Sequence, residues 1–220
     1  MDLKQELQKA LLELRKEKQR KFNQTADLII NLQKFDIKKN SINLVIALPH
    51  NVKEKRIGAF LEIDNKNVPT ITGDKFKRYH NKNELKKLVN KFDFFIAQAS
   101  LMPKVATTFG KVLGPAGKMP SPQLGILMDV DDKAIEALKK KINSSIKIRV
   151  KEASIKLPIG KYDMSDSDII ENILTTYNTI LKELPRDKEN VKNIEIKFTM
   201  TKPQKIFLKW LQKMNQILEK

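Results

Sequence analysis

The period of the apolar positions changes several times along the chain, and each change marks an element. Between residues 2 and 20, Leu3, Leu7, Leu11 and Leu14 recur at spacings of three and four with charges between them, which predicts an amphipathic helix docked on its own domain. From Phe22 to Leu32 the period falls to two. Phe22, Ala26, Leu28, Ile30 and Leu32 share one face and Thr25, Asp27 and Asn31 the other, as a half-buried strand requires. Two more strands are predicted near 42–48 and 56–63. The loop between them carries His50, Lys53 and Lys55, with Arg56 just behind, a set placed for phosphate contact.

The polar cluster Asp64-Asn65-Lys66-Asn67 reads as a turn and as the first domain boundary. Beyond it, short apolar runs alternate with helical segments: Val68 to Ile71, a helix at 82–91, Phe92 to Ala97, helices at 101–113 and 131–143, and a strand from Ile146 to Val150. Such alternation predicts a small parallel α/β layer covered by helices. Next come a strand at 153–157, a turn at Pro158-Ile159-Gly160-Lys161, a helix at 165–184 and an alternating strand from Val191 to Thr199. From Pro203 onward, Ile206, Phe207, Trp210, Leu211, Met214, Ile217 and Leu218 repeat at helical spacing, with Pro203 in the first turn and Thr201 as the cap. The predicted fold class is α/β in two domains. An outer α+β domain is built from both chain ends, residues 1–64 and 152–220, and an inner α/β domain with a small parallel sheet is inserted at 65–151.

Charge narrows the partner. The 43 lysines and arginines against 26 acids leave +17 on 220 residues, a surface that attracts polyanions, with nucleic acid ahead of anionic membrane. Residues 65–151 hold 18 cations and 7 acids, and the flanking parts 25 and 19, so electrostatics alone favours the inner domain, at Lys75, Lys77, Arg78, Lys104, Lys111 and Lys118. The run Lys139 to Lys141 fits a solvated helix face equally well. With no cysteine, disulfides and thiolate metal sites are excluded, which suits a reducing cytoplasm. The opening MDLKQELQKALLELRKEKQRKF has acids and no continuous apolar core, unlike a signal peptide, and no run approaches the ~18 apolar residues of a membrane span.

The segment Gly114-Pro115-Ala116-Gly117-Lys118-Met119-Pro120-Ser121-Pro122 has the strongest local signature. Its prolines fix φ and its glycines permit positive φ, so it predicts a shaped loop that presents Lys118. It is not a nucleotide-binding loop, because Val112 stands five residues before Gly117 and Met119 follows Lys118, leaving no hydroxyl for magnesium. His50 and His80 fall in different predicted domains, so neither a triad nor a two-histidine metal site forms, and Asp129, Asp131 and Asp132 read as acids at a helix start. No catalytic residue, cofactor or metal is expected.

That loop resembles the Gly-Pro-Arg-Gly-Lys-Met-Pro-x-Pro signature of the ribosomal protein L-one family in its archaeal and eukaryotic form, with Ala116 in place of the arginine. Lys21-Phe22-Asn23-Gln24-Thr25-Ala26-Asp27-Leu28, Leu48-Pro49-His50, Pro158-Ile159-Gly160-Lys161 and Thr199-Met200 are similar to further family motifs, in family order. The last is continued here as Thr201-Lys202-Pro203 where the family has Gly-Pro, which removes a close backbone approach and offers the charge of Lys202 instead, and the resemblance implies a chain that ends as a strand where the spacing after Pro203 reads as a helix.

The resemblance implies an outer domain that binds large-subunit rRNA at the mobile lateral stalk, through Lys21, Phe22, Gln24, Thr25, Asp27, His50, Gly160, Lys161, Thr199, Met200, Thr201 and Lys202. It implies an inner-domain loop, Gly114, Pro115, Gly117, Lys118, Met119 and Pro120, that faces RNA or tRNA. It further implies release of deacylated exit-site tRNA, repression of translation by binding its own mRNA, a cytoplasmic ribosome-associated location, and a monomer outside the ribosome. A transient ribosome-biogenesis factor and a phosphate-ligand enzyme using the inner domain remain the alternatives.

Overall fold

The computed structural model describes residues 3–206, apart from residues 19, 38–39, 41, 129 and 151. The chain divides into two compact units, residues 1–52 with 145–220 and residues 53–144, so the second is inserted into the first. The divisions lie earlier than the 64/65 and 151/152 boundaries drawn from the sequence.

In the outer unit the helix α1 (Leu3–Lys16) is followed by β1 (Thr25–Leu32) and β2 (Asn43–Ala47). The inserted unit contains β3 (Ile57–Phe60), β4 (Thr70–Ile71), a 3-10 stretch, α2 (Lys82–Lys91), β5 (Phe94–Gln98), α3 (Met102–Leu113), β6 (Ile126–Leu127) and α4 (Asp132–Asn143). The outer unit resumes with β7 (Ser145–Arg149), β8 (Ser154–Lys161), α5 (Asp166–Glu183), β9 (Val191–Phe198) and β10 (Gln204–Ile206).

The outer sheet is antiparallel in the order β10-β9-β1-β8, and β2 pairs with β7 in a separate antiparallel ribbon. On β1 alternate residues are buried, as its sequence alternation requires. Ala26, Leu28, Ile30 and Leu32 join Leu7, Leu11 and Leu14 of α1 and Ile169 and Ile173 of α5 in one hydrophobic core. Thr25, Asp27, Ile29 and Asn31 lie on the sheet's other face. The inserted unit has a parallel sheet in the order β4-β3-β5-β6, with a core of Phe60, Phe76, Phe95 and Phe109, whose rings stack, tilt or meet edge to face at 4.9–5.8 Å.

Four local expectations are corrected. Pro158 to Lys161 is not a turn but the last half of β8. Ala26 faces Gly160 and Asp27 faces Pro158, which leaves Ile159 as the extra residue of a bulge. Because β8 is an edge strand, the missing N–H of Pro158 is tolerated there. The segment after Pro203 starts as a strand rather than a helix: Gln204, Lys205 and Ile206 face Ile196, Glu195 and Ile194 of β9, and Ile206 is buried in the outer core. The helical spacing from Phe207 to Leu218 lies outside the described residues. Thr201 is accordingly no helix cap. Phe22 precedes β1 and stands out of the sheet rather than sharing its buried face.

Candidate nucleic-acid interface

Three of the family motifs, those of Thr25, Lys161 and Thr199, the first of them more than a hundred residues from the other two, meet where β1 begins and β8 and β9 end. Thr25 opens β1 opposite Lys161 of β8, and its N–H donates to the Thr199 hydroxyl at 3.0 Å. The Thr199 hydroxyl donates back to the Thr25 carbonyl at 3.4 Å, and Lys161 Nζ donates to Thr25 Oγ1 at 3.4 Å. Behind them Gln24 is only 3% exposed. Its side-chain oxygen accepts from the Met200 N–H at 3.0 Å and its carbonyl from the Tyr162 N–H at 2.9 Å, so it ties all three strand ends together. Phe22 and Met200 are 53% and 56% exposed beside this junction. With Lys21 and Lys202 also exposed, the face combines hydroxyls, ammonium groups and apolar contact surface. That is the chemistry that reads phosphate, 2′-hydroxyl and unstacked base.

Other expected site residues support this face rather than lie on it. Thr201 is buried: its hydroxyl accepts from the Phe198 N–H at 2.9 Å and donates to the Phe198 carbonyl at 3.3 Å, fixing the turn that displays Thr199 and Met200. Gly160 is needed for packing, since a Cβ there would stand 2.8 Å from Ile169 Cγ1. His50 does not present a free imidazole. Its Nε2 meets Glu171 Oε2 at 2.8 Å and Asp168 Oδ1 at 3.7 Å. Asp27 does lie on the open face, opposite Lys197, and burial raises its pKa against the lowering effect of that lysine. In the inserted unit Lys53 and Arg56 pair with Asp93, and Lys55 donates to the Ile142 carbonyl, so these three cations of the 49–56 loop are also engaged within the fold. The Arg56 guanidinium hydrogen bond holds the Asp93 pKa down at about 2.

Two residues that periodicity passed over organise the site. Asn172 sits at 0% exposure on the buried stripe of α5. It accepts from the His50 N–H at 3.0 Å and donates to the carbonyls of His50 and Ile159 at 3.1 and 2.9 Å, so the His50 segment is tied to β8. An amide among Ile169, Ile173 and Thr176 is the sequence signal for it. Arg15, next to Leu14, ends the apolar stripe of α1. It donates through Nε to Asp166 Oδ1 at 2.6 Å, and through its two terminal nitrogens to the carbonyls of Tyr162 and Met164 at 2.9 and 2.8 Å. Its guanidinium lies 4.9 Å from the Tyr162 ring centroid and 5.9 Å from that of Phe198.

The proline- and glycine-rich segment is a helix terminus. Gly117 has φ of 70° and its N–H donates to the Gly114 carbonyl, while the Lys118 N–H donates to the Leu113 carbonyl. Together these close α3 as a Schellman motif with glycine in the left-handed position. Lys118 then points inward: its Nζ donates to the carbonyls of Val89 and Phe92 at 2.7 and 2.9 Å, capping the C-terminal end of α2. Met119 packs against the inner core and Pro120 is buried, which leaves Pro115 and Ala116 at the exposed tip. The expectation that this loop presents Lys118 is therefore corrected.

The structure is that of an α/β protein with an inserted unit, whose split outer unit gathers a polar, cationic face at the end of an antiparallel sheet. A family model described as the ribosomal protein L1p/L10e family matches residues 14–202, and the chain belongs to that family. Its similarity is to archaeal members, each described as large ribosomal subunit protein uL1. It is 34% identical to that of Nanoarchaeum equitans, over 84% of this chain and 92% of the relative. It is 35% identical to that of Pyrobaculum arsenaticum, over 86% and 87%, and 34% identical to that of Thermococcus kodakarensis, over 83% and 88%.

Proposed function

We propose that this chain is a structural, non-catalytic constituent of the large ribosomal subunit in the cytoplasm, and that it grips stalk rRNA with the strand-end face of its outer unit. The observation that carries this reading is the junction of Thr25, Lys161 and Thr199, because it holds two hydroxyls and an ammonium group on rigid strand ends beside exposed Phe22 and Met200. Preorganised donors of this kind lose little entropy on meeting a folded RNA. The inserted unit assists the departure of deacylated tRNA from the exit site. Its exposed cations include Lys104 and Lys111 on α3, and they, rather than Lys118, supply the charge for that contact. The same outer face binds an rRNA-like element of the protein's own mRNA when rRNA is scarce, so repression is a competition for one surface.

The test is the double variant Thr199→Val with Lys161→Ala, titrated with a stalk rRNA fragment at matched salt. A charge-assisted contact contributes about 1.5–3 kcal/mol, so affinity should fall tenfold or more. The slope of log affinity against log salt should shrink by about one phosphate. Unchanged affinity would remove this face from the RNA contact.

A further inference from the structure

Resting on that reading of the strand-end face, we propose that Arg15 is its positioning residue. The guanidinium fastens the turn that presents Lys161, and through that turn the ends of β1 and β9, without itself contacting RNA.

The turn from Lys161 to Ser165 joins β8 to α5: Tyr162 and Met164 pack against the outer core, while Asp163 and Ser165 are exposed. Its internal bonds are the Met164 N–H to the Lys161 carbonyl at 3.1 Å and a contact of the Lys161 N–H with Met164 Sδ at 3.3 Å. Arg15 supplies three further bonds from a different element, to the carbonyls of Tyr162 and Met164 and to the Asp166 carboxylate. A planar fork with divergent N–H groups can make all three at once, whereas a lysine cannot.

The aromatic contacts extend the hold sideways. Arg15 lies over the rings of Tyr162 and Phe198, which meet each other at 5.0 Å, and Phe198 is the last residue of β9 before the turn that carries Thr199 and Met200. The Tyr162 N–H bonds the Gln24 carbonyl, and the Gln24 side chain accepts from Met200. Arg15 thus reaches each of the three strand ends by one or two contacts. It does so from the helix-covered side, where Phe198 is buried. The groups proposed to face RNA, Thr25, Lys161 and Thr199, are held on the other side by their mutual 3.0–3.4 Å bonds.

The experiment uses the full chain with Arg15→Met and Arg15→Lys, titrated with the stalk rRNA fragment across a salt series at 25 °C. Amide spectra and hydrogen exchange are recorded on the RNA-free proteins. Both variants should bind at least tenfold more weakly with an unchanged salt slope, because no phosphate contact is lost. The amides of Thr25, Tyr162 and Met200 should shift, with faster exchange at Tyr162 and Met200. Folded variants that bind as tightly as the parent would overturn the proposal. So would a slope reduced by about one phosphate in Arg15→Met, since that marks Arg15 as a direct contact. Should Arg15→Met fail to fold, Asp166→Asn weakens only the Nε contact and should give a smaller parallel loss of affinity; parent-like binding there also overturns it. If the parent itself shows no preference for stalk RNA, the functional reading fails. The RNA-free exchange still decides the role of Arg15, parent-like exchange at Tyr162 and Met200 in the variants overturning it.

Discussion

Asp27 shows what a single residue of the proposed RNA face gives up for its position. Burial raises its pKa above the ordinary 3.8, so the fold favours its neutral form, and the native state loses stability as pH rises through the window just above that value. Asp27→Asn should therefore raise the melting temperature at pH 7 and have no such effect below pH ~3, where both states are protonated. Melts at the two pH values check this, and an equal effect at both would refute the ionisation argument. Lys118 is the reverse case, a cation that looks functional in sequence and is structural in the fold. Its two bonds to the end of α2 predict that Lys118→Met lowers unfolding free energy by about 1–3 kcal/mol in a denaturant titration. Affinity for the stalk rRNA fragment should stay within about twofold, because no site contact is lost.

Helices and long strands were legible because their pattern runs over enough residues to fix a period. The alternation of Thr25 to Leu32 gave β1, and the leucines at spacings of three and four gave α1. β10 was not legible in the periodicity, only in the resemblance: three residues carry no period, and the helical spacing that runs on to Leu218 overwhelmed them. β8 was cut short because Pro158 and Gly160 read as turn residues. Their actual roles, tolerance of a missing donor at a bulged edge and close approach to α5, depend on neighbours distant in sequence. Gly160→Ala tests the second role. A methyl 2.8 Å from Ile169 Cγ1, on a fully buried branched side chain, forces strand and helix apart and should destabilise the protein by about 1–3 kcal/mol. It should also displace Lys161 and weaken RNA binding, so a stable variant with full affinity would contradict the packing argument. Of the candidate site, the motif residues were readable by resemblance. Gln24, Asn172, Thr201 and Arg15 have roles as internal ties that only the three-dimensional junction reveals.

For the whole molecule, the charge of +17 draws any polyanion, but the proposed specific contact lies on a small face built from both ends of the chain. Inserting residues 53–144 leaves that face intact, because the four strands of the outer sheet come entirely from the flanking segments. Electrostatic attraction is sequence-independent and fades with salt, whereas a preorganised face discriminates among RNA shapes. The two are separated by titrating the full chain with a large-subunit stalk rRNA fragment and with a scrambled RNA of the same length across a salt series. A preference of about 10³ or more that persists at high salt is the result expected of the strand-end face. Equal, steeply salt-dependent binding to both RNAs would contradict it and leave only a generic basic surface.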